Sequence, residues 1–273
     1  MNIIEKPYQD PGLKIETVKG PEESEVSFCP ERGGIITSIK LKGKEILYLE
    51  PDNLADTTKN VRGGIPILFP NAGPLKVGDY KLAQHGYART SSEWQVEPTE
   101  GSAFSERLSV NEEMKQAFPY ELLLRIKGQL EDDGSFSLTQ EVENKDEKEL
   151  PISMGLHPYF KVPNDKKKEI EFDFLGGEQV KKDFATWSSG GTTMIDNPKI
   201  KDPNAVLRIK LPDLGTVILD VSAEYKRIWV WSLPDKDFIC VEPVMRDVDG
   251  LVNDPEIIEP SQTYSGKVNF KLE

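Results

Sequence analysis

Basic charge, cysteine and histidine are all scarce in this chain, and each shortage removes a class of function. Lys and Arg number 34 against 47 Asp and Glu, a net charge of −13. A surplus of that sign repels nucleic-acid backbones and anionic lipid at long range. No basic stripe offsets it, because the densest cluster, Lys166-Lys167-Lys168, runs into Glu169 and Glu171. Neither nucleic acid nor a membrane is therefore expected as a partner, although two arginines in one pocket would suffice for a small anion. The two cysteines, Cys29 and Cys240, lie far apart and form no CxxC or Cys/His metal spacing. Cys240, within Phe238-Ile239-Cys240-Val241, reads as a buried reduced thiol. With only two histidines and no HExxH pattern, no metal and no other cofactor is expected. No apolar run approaches the roughly 18 residues of a membrane span. The opening MNIIEKPYQDPG carries charge and proline where a signal peptide needs an apolar stretch, so a cytoplasmic location is expected, with no disulfide.

What the chain does have is length and turns. At 273 residues it can bury roughly three-quarters of the surface exposed by its unfolded form, so it needs no staples. Glycine (21) and proline (20) are spread throughout and cut the chain into short segments. Ile35–Leu41 leads through Lys42-Gly43-Lys44 into Glu45–Leu49. Leu122–Leu130 meets Phe136–Val142 across Asp132-Asp133-Gly134, where Asp and Gly suit left-handed turn positions. Val206–Leu211 and Thr216–Ser222 flank Pro212-Asp213-Leu214-Gly215. Arg227–Leu233 and Phe238–Val241 flank Pro234-Asp235-Lys236-Asp237. Hairpins in this number predict an all-β antiparallel sandwich. Helical signal is thin: Asn111 caps a short Glu112–Phe118 segment that Pro119 stops. There is no βαβ alternation, phosphate loop, internal repeat or long linker, so residues 1–273 are expected to form one domain.

Both histidines sit in unusual company. His85 lies in Gln84-His85-Gly86-Tyr87-Ala88-Arg89, and His157 in Gly155-Leu156-His157-Pro158-Tyr159-Phe160. Pro158 biases His157 towards an extended backbone at a strand or strand edge, and the glycines leave room for close approach. Read singly, either imidazole is as well explained by packing or by a loop. A third segment, Val61-Arg62-Gly63-Gly64-Ile65-Pro66-Ile67-Leu68-Phe69-Pro70, reads as a strand entered through a glycine turn, with Arg62 solvated. In Phe238-Ile239-Cys240-Val241-Glu242-Pro243 the odd residue is Glu242, because a carboxylate facing the core needs partners.

In this order RGGIPILFP, HGYAR, GLHPYF and VEP resemble the aldose 1-epimerase, or galactose mutarotase-like, superfamily, from about Val26 to Phe270. The resemblance implies a large antiparallel β-sandwich with very little helix and a sugar cleft across one concave sheet. It also implies a cofactor-free interconversion of sugar anomers. On that likeness His157 donates a proton to the ring oxygen, Glu242 takes the anomeric hydroxyl proton, and His85 stands near both. Arg62 and Arg89 would hold sugar hydroxyls or, in one branch of the superfamily, a phosphate. The chemistry suits these residue types, because one acid and one base on opposite sides of the reacting centre suffice to open a hemiacetal. The aldohexose itself is the expected partner, with a phosphorylated hexose as the alternative. A non-catalytic sugar-binding protein on the same sandwich would need neither His157 nor Glu242. A glycosidase would need a second placed carboxylate. Tyr159, Phe69 and Trp231 are candidate sugar platforms. Asp183 and Asp196 fall in a segment, residues 176–198, whose sequence matches no motif.

Overall fold

The computed structural model describes residues 6–7, 13–185 and 191–273. Two large sheets dominate. One has eight strands, in the order Glu171–Asp173, Leu207–Leu211, Gly215–Val221, Thr263–Leu272, Phe136–Asn144, Leu122–Leu130, Ala103–Ser109 and Gln95–Glu97. The other has six, in the order Gly191–Asp196, Arg227–Ser232, Phe238–Val244, Gly155–Leu156 and Ile67–Leu68, with Tyr159–Lys161 also paired to Phe238–Val244. Lys6–Pro7, Lys14–Lys19, Glu25–Cys29, Ile35–Leu41 and Lys44–Glu45 make a five-stranded sheet, and Leu150–Ile152 pairs with Glu256–Ile258. The long central ladders are antiparallel, as the turn chemistry predicts.

Each predicted hairpin forms, with its ends shifted by a few residues. Lys42 and Gly43 both adopt positive φ, as do Asp213 and Asp235 in the other turns. In the first hairpin the return strand is only Lys44–Glu45. Beyond it, Leu47 bridges to Phe160 and Leu49 to Gly63, so the chain leaves its own hairpin for non-local partners. The predicted short helix runs Glu112–Ala117, and the Asn111 side chain accepts the Met114 N–H at 2.8 Å. Residues 176–198, featureless as sequence, contain a helix at Gly177–Ala185 and the edge strand Gly191–Asp196.

Strand alternation places the site. Along Phe238–Val244 every residue is buried, but on two different faces. Ile239 and Val241 join Ile228 and Val230 in the main core, against Phe104, Ile126, Phe136, Leu138 and Phe270 of the eight-stranded sheet. Phe238, Cys240 and Glu242 leave the opposite face, as do Trp229 and Trp231 of the neighbouring strand. Between the layers, the Gln140 amide donates to the Leu68 carbonyl and accepts from the Tyr225 hydroxyl, both at 3.2 Å. Two unlike chain segments are thereby locked together inside an apolar core.

One core group has no such partner. Glu106, in the eight-stranded sheet, is fully buried, and among the described residues neither carboxyl oxygen has a hydrogen-bond partner. Burial pushes its pKa from 4.5 up to about 8. The native state therefore binds one more proton than the unfolded chain between those values, and this group's stabilisation falls as pH rises from about 4.5 to about 8. The integrated change is on the order of 5 kcal/mol. Urea unfolding of the Glu106→Gln variant should show a visibly flatter pH dependence of stability than the parent. Parallel pH curves for the two proteins would refute this.

Candidate active site

His157 sits between the strands Gly155–Leu156 and Tyr159–Lys161, at the strand edge that Pro158 predicts. Its ring lies 4.6 Å from that of Tyr159, nearly parallel, and edge-on to Trp231 at 5.8 Å. His157 Nε2 is 3.5 Å from Glu242 Oε1, and the two side chains are only 7% and 3% exposed. Stacking orients the imidazole, and among the described residues its Nδ1 has no hydrogen-bond partner.

His85 is held differently. Its φ is +67°, and the Gly73 N–H donates to Nδ1 at 2.9 Å while the Gly73 carbonyl accepts the His85 N–H at 2.8 Å. An imidazole that accepts at Nδ1 carries its proton on Nε2. The Gln84 amide lies 3.2 Å from that nitrogen, so it serves the proton only with its oxygen turned inwards. The loop is fixed to the six-stranded sheet at Phe69, whose N–H donates to the His85 carbonyl and whose own carbonyl accepts from Tyr87 and Ala88. Gly86 makes this close approach feasible. Its φ is +72°, and a Cβ there would stand 1.9 Å from the Phe69 carbonyl oxygen. Gly86→Ala is expected to cost at least about 1–3 kcal/mol of stability and to displace His85. Unchanged thermal unfolding of that variant would contradict this account of the loop.

His85 and His157 stand 5.5 Å apart, ring centre to ring centre, and with Glu242, Arg89 and Arg62 they line one cavity of about 320 Å³. The sequence-picked residues are thus brought together from four distant segments. Arg62 is partly neutralised by Glu50 at 3.9 Å, a carboxylate that also takes a bond from Lys236 at 2.6 Å. Arg89 is not: among the described residues it has no ion pair, and its buried Nε has no hydrogen-bond partner. Burial lowers its pKa.

These surroundings set the protonation of the site. Burial, and then the Arg89 charge, lowers the His85 pKa to about 3. Burial, His85 and Arg89 together push His157 well below its ordinary value. Burial alone pushes Glu242 well above its own. All three shifts favour the neutral forms: burial drives each, joined for the two histidines by the Arg89 charge.

Other cavity residues were not picked out from the sequence. Trp229 lines the wall with a buried Nε1–H that has no partner among the described residues, and Asn60, Gln84 and Thr192 add polar groups. The alternation Trp229-Val230-Trp231 was the available signal for Trp229. Tyr159 and Trp231 line the cavity too, but Phe69 belongs to the core behind it. Asp183 and Asp196 lie outside the cavity lining; Asp183 accepts from Thr193 and Asp196 pairs with Arg227. The rim at Asn60–Arg62 is set from below by buried Arg32, which donates to the carbonyls of Asn53, Leu54, Asp56 and Lys59. Its sequence neighbourhood gives no hint of that role.

Comparison with known proteins identifies the family of this chain. The sequence profile of a family described as aldose 1-epimerase matches residues 17–270. A relative from Cenchrus ciliaris, provisionally named glucose-6-phosphate 1-epimerase, is 25% identical over 86% of this chain and 78% of its own. A solved structure from Synechocystis sp. superposes with a TM-score of 0.83 at 25% identity, covering 99% of both chains. A galactose mutarotase-like protein from Clostridium acetobutylicum gives 0.77 at 18% identity, over 99% of this chain and 98% of that one, a likeness of fold. Among the described residues no helix is long and apolar enough to cross a membrane.

Proposed function

Because the chain belongs to the aldose 1-epimerase family, we propose that it interconverts the α and β anomers of a hexose and that the preferred hexose carries a phosphate. The reaction rests on the His157–Glu242 pair. The anomeric hydroxyl and the ring oxygen of a cyclic hexose share one carbon, C1, so two groups 3.5 Å apart reach both. Starting with both groups neutral, the forms that burial favours, His157 takes the hydroxyl proton while the Glu242 carboxyl gives its own to the ring oxygen. The C1–ring-oxygen bond breaks and leaves an open-chain aldehyde. Rotation about C1–C2 presents the other carbonyl face. On reclosure the ring oxygen gives its proton back to Glu242 and His157 returns one to the new hydroxyl. Charge and protons balance, because opening leaves an ion pair that closing discharges. His85, with its proton on Nε2, acts as a neutral donor to a sugar oxygen, and Trp229 Nε1 acts as a second. Tyr159 and Trp231 present ring faces to the sugar's C–H surface.

A single observation carries the phosphate: among the described residues Arg89 has no ion pair and its Nε no hydrogen-bond partner, and with Arg62 it puts two cations on the cavity wall. Burying such a charge without a partner is costly, and a phosphate oxygen would compensate it with charge-assisted bonds. The provisional name of the Cenchrus ciliaris relative points the same way. Exchange NMR of α and β signals with glucose and with glucose 6-phosphate tests the choice. Faster exchange of the phosphate at equal concentration is expected. Acceleration of glucose alone would return the reading to a free aldohexose, and acceleration of neither would leave a sugar-binding protein.

A further inference from the structure

Cys240 precedes Glu242 by two positions on the Phe238–Val244 strand, so both side chains leave the sheet on the cavity face. His157 stands against the same spot. The ligating atoms of His157, Cys240 and Glu242 all lie within 4.8 Å of one another, and all three residues are buried. His157 Nδ1 has no hydrogen-bond partner among the described residues, and the contact of Nε2 with Glu242 is a long 3.5 Å. We propose that His157, Cys240 and Glu242 form a binding site for a zinc-class divalent cation, and that its occupation switches off proton transfer at the cavity.

The donor set selects the ion. One imidazole, one thiolate and one carboxylate suit zinc, cobalt or cadmium, whereas magnesium and calcium prefer oxygen-only shells. Three protein ligands leave the fourth tetrahedral position for a water on the cavity side, the open geometry usual where zinc remains reachable by small molecules. Bonds of about 2.0–2.3 Å to such an ion require the three side chains to draw together slightly. On binding, the Cys240 thiol and the Glu242 carboxylic acid each release a proton to water, and the His157 nitrogen contributes its lone pair without one. The ion enters through the cavity that His157 and Glu242 line. Once there it occupies the electron pairs that would move protons to and from the sugar. The inhibition rests on the proposed anomer exchange; the metal site does not.

Cobalt(II) titration of the full chain separates the two. Wild type should develop a near-ultraviolet sulfur-to-cobalt absorption that saturates and is displaced by zinc. Cys29→Ser should keep it, because that thiol lies in a separate cluster with Ile15, Ile35 and Leu54. Cys240→Ser and Cys240→Ala should lose the band and bind cobalt at least about tenfold more weakly, while keeping the basal exchange rate. Zinc should stop anomer exchange in wild type, reversibly with EDTA, and do so at least about tenfold less well in either Cys240 variant. A wild-type protein without the sulfur band, or a band that survives both Cys240 substitutions, overturns the site. A band in a protein with no anomer exchange supports the site and overturns the activity.

Discussion

Glu242→Gln is expected to slow anomer exchange about 10²–10⁴-fold in kcat, with KM little changed. The amide has the shape of a carboxylic acid, the form that burial favours for Glu242, so packing around the strand should persist. What it cannot do is give up a proton and take it back in one turnover. His157→Gln should produce a loss of the same order, because an amide cannot accept the hydroxyl proton. The histidine also stacks on Tyr159, so His157→Gln should unfold somewhat more readily, whereas Glu242→Gln should melt close to wild type. Saturation-transfer NMR at substrate excess gives kcat, and circular dichroism gives the melting curves. Wild-type kcat in both variants would leave the pair without a role in the chemistry.

Arg89→Met separates binding from stability and should move them in opposite directions. Loss of a charge-assisted bond to phosphate is expected to lower kcat/KM for glucose 6-phosphate about 10- to 100-fold. Free glucose, which offers no such anion, should lose far less. Without added sugar the variant should meanwhile melt at a higher temperature, because an apolar side chain of similar length replaces a buried cation that has no ion pair among the described residues. Such an exchange of stability for function is common where a site must hold charge for an absent ligand. The substitution also removes a charge that lowers both His85 and His157. Equal losses for the two sugars would remove Arg89 from the phosphate and place it on a hydroxyl.

Local chemistry made the hairpins readable in the sequence. Lys42-Gly43, Asp213 and Asp235 occupy left-handed turn positions, and Asn111 caps the only helix predicted. Glu242 was conspicuous because a carboxylate in an apolar strand is costly to bury, and alternation then fixes the face it must share with Cys240. The helix Gly177–Ala185 was missed because Gly176-Gly177 at its start reads as a turn, and the strand Gly191–Asp196 because only one side of it is covered. Non-local contacts account for the other omissions. Arg32 reaches carbonyls more than twenty residues away, and Gly73 fixes the His85 tautomer across a loop. Nor does spacing along the chain bring Cys240 next to His157. Protonation was the least legible property, because it depends on burial and on Arg89, neither of which has a sequence pattern.

In the proposed reaction His157 and Glu242 work as one unit that relays the proton. Measuring kcat for anomer exchange in wild type, Glu242→Gln, His157→Gln and the double variant tests it most directly. If the pair is a unit, removing either member already removes the proton path, and the double variant should be no slower than the slower single one. Losses that multiply in the double variant would mean that the two residues act independently, and the proton-relay mechanism would be wrong.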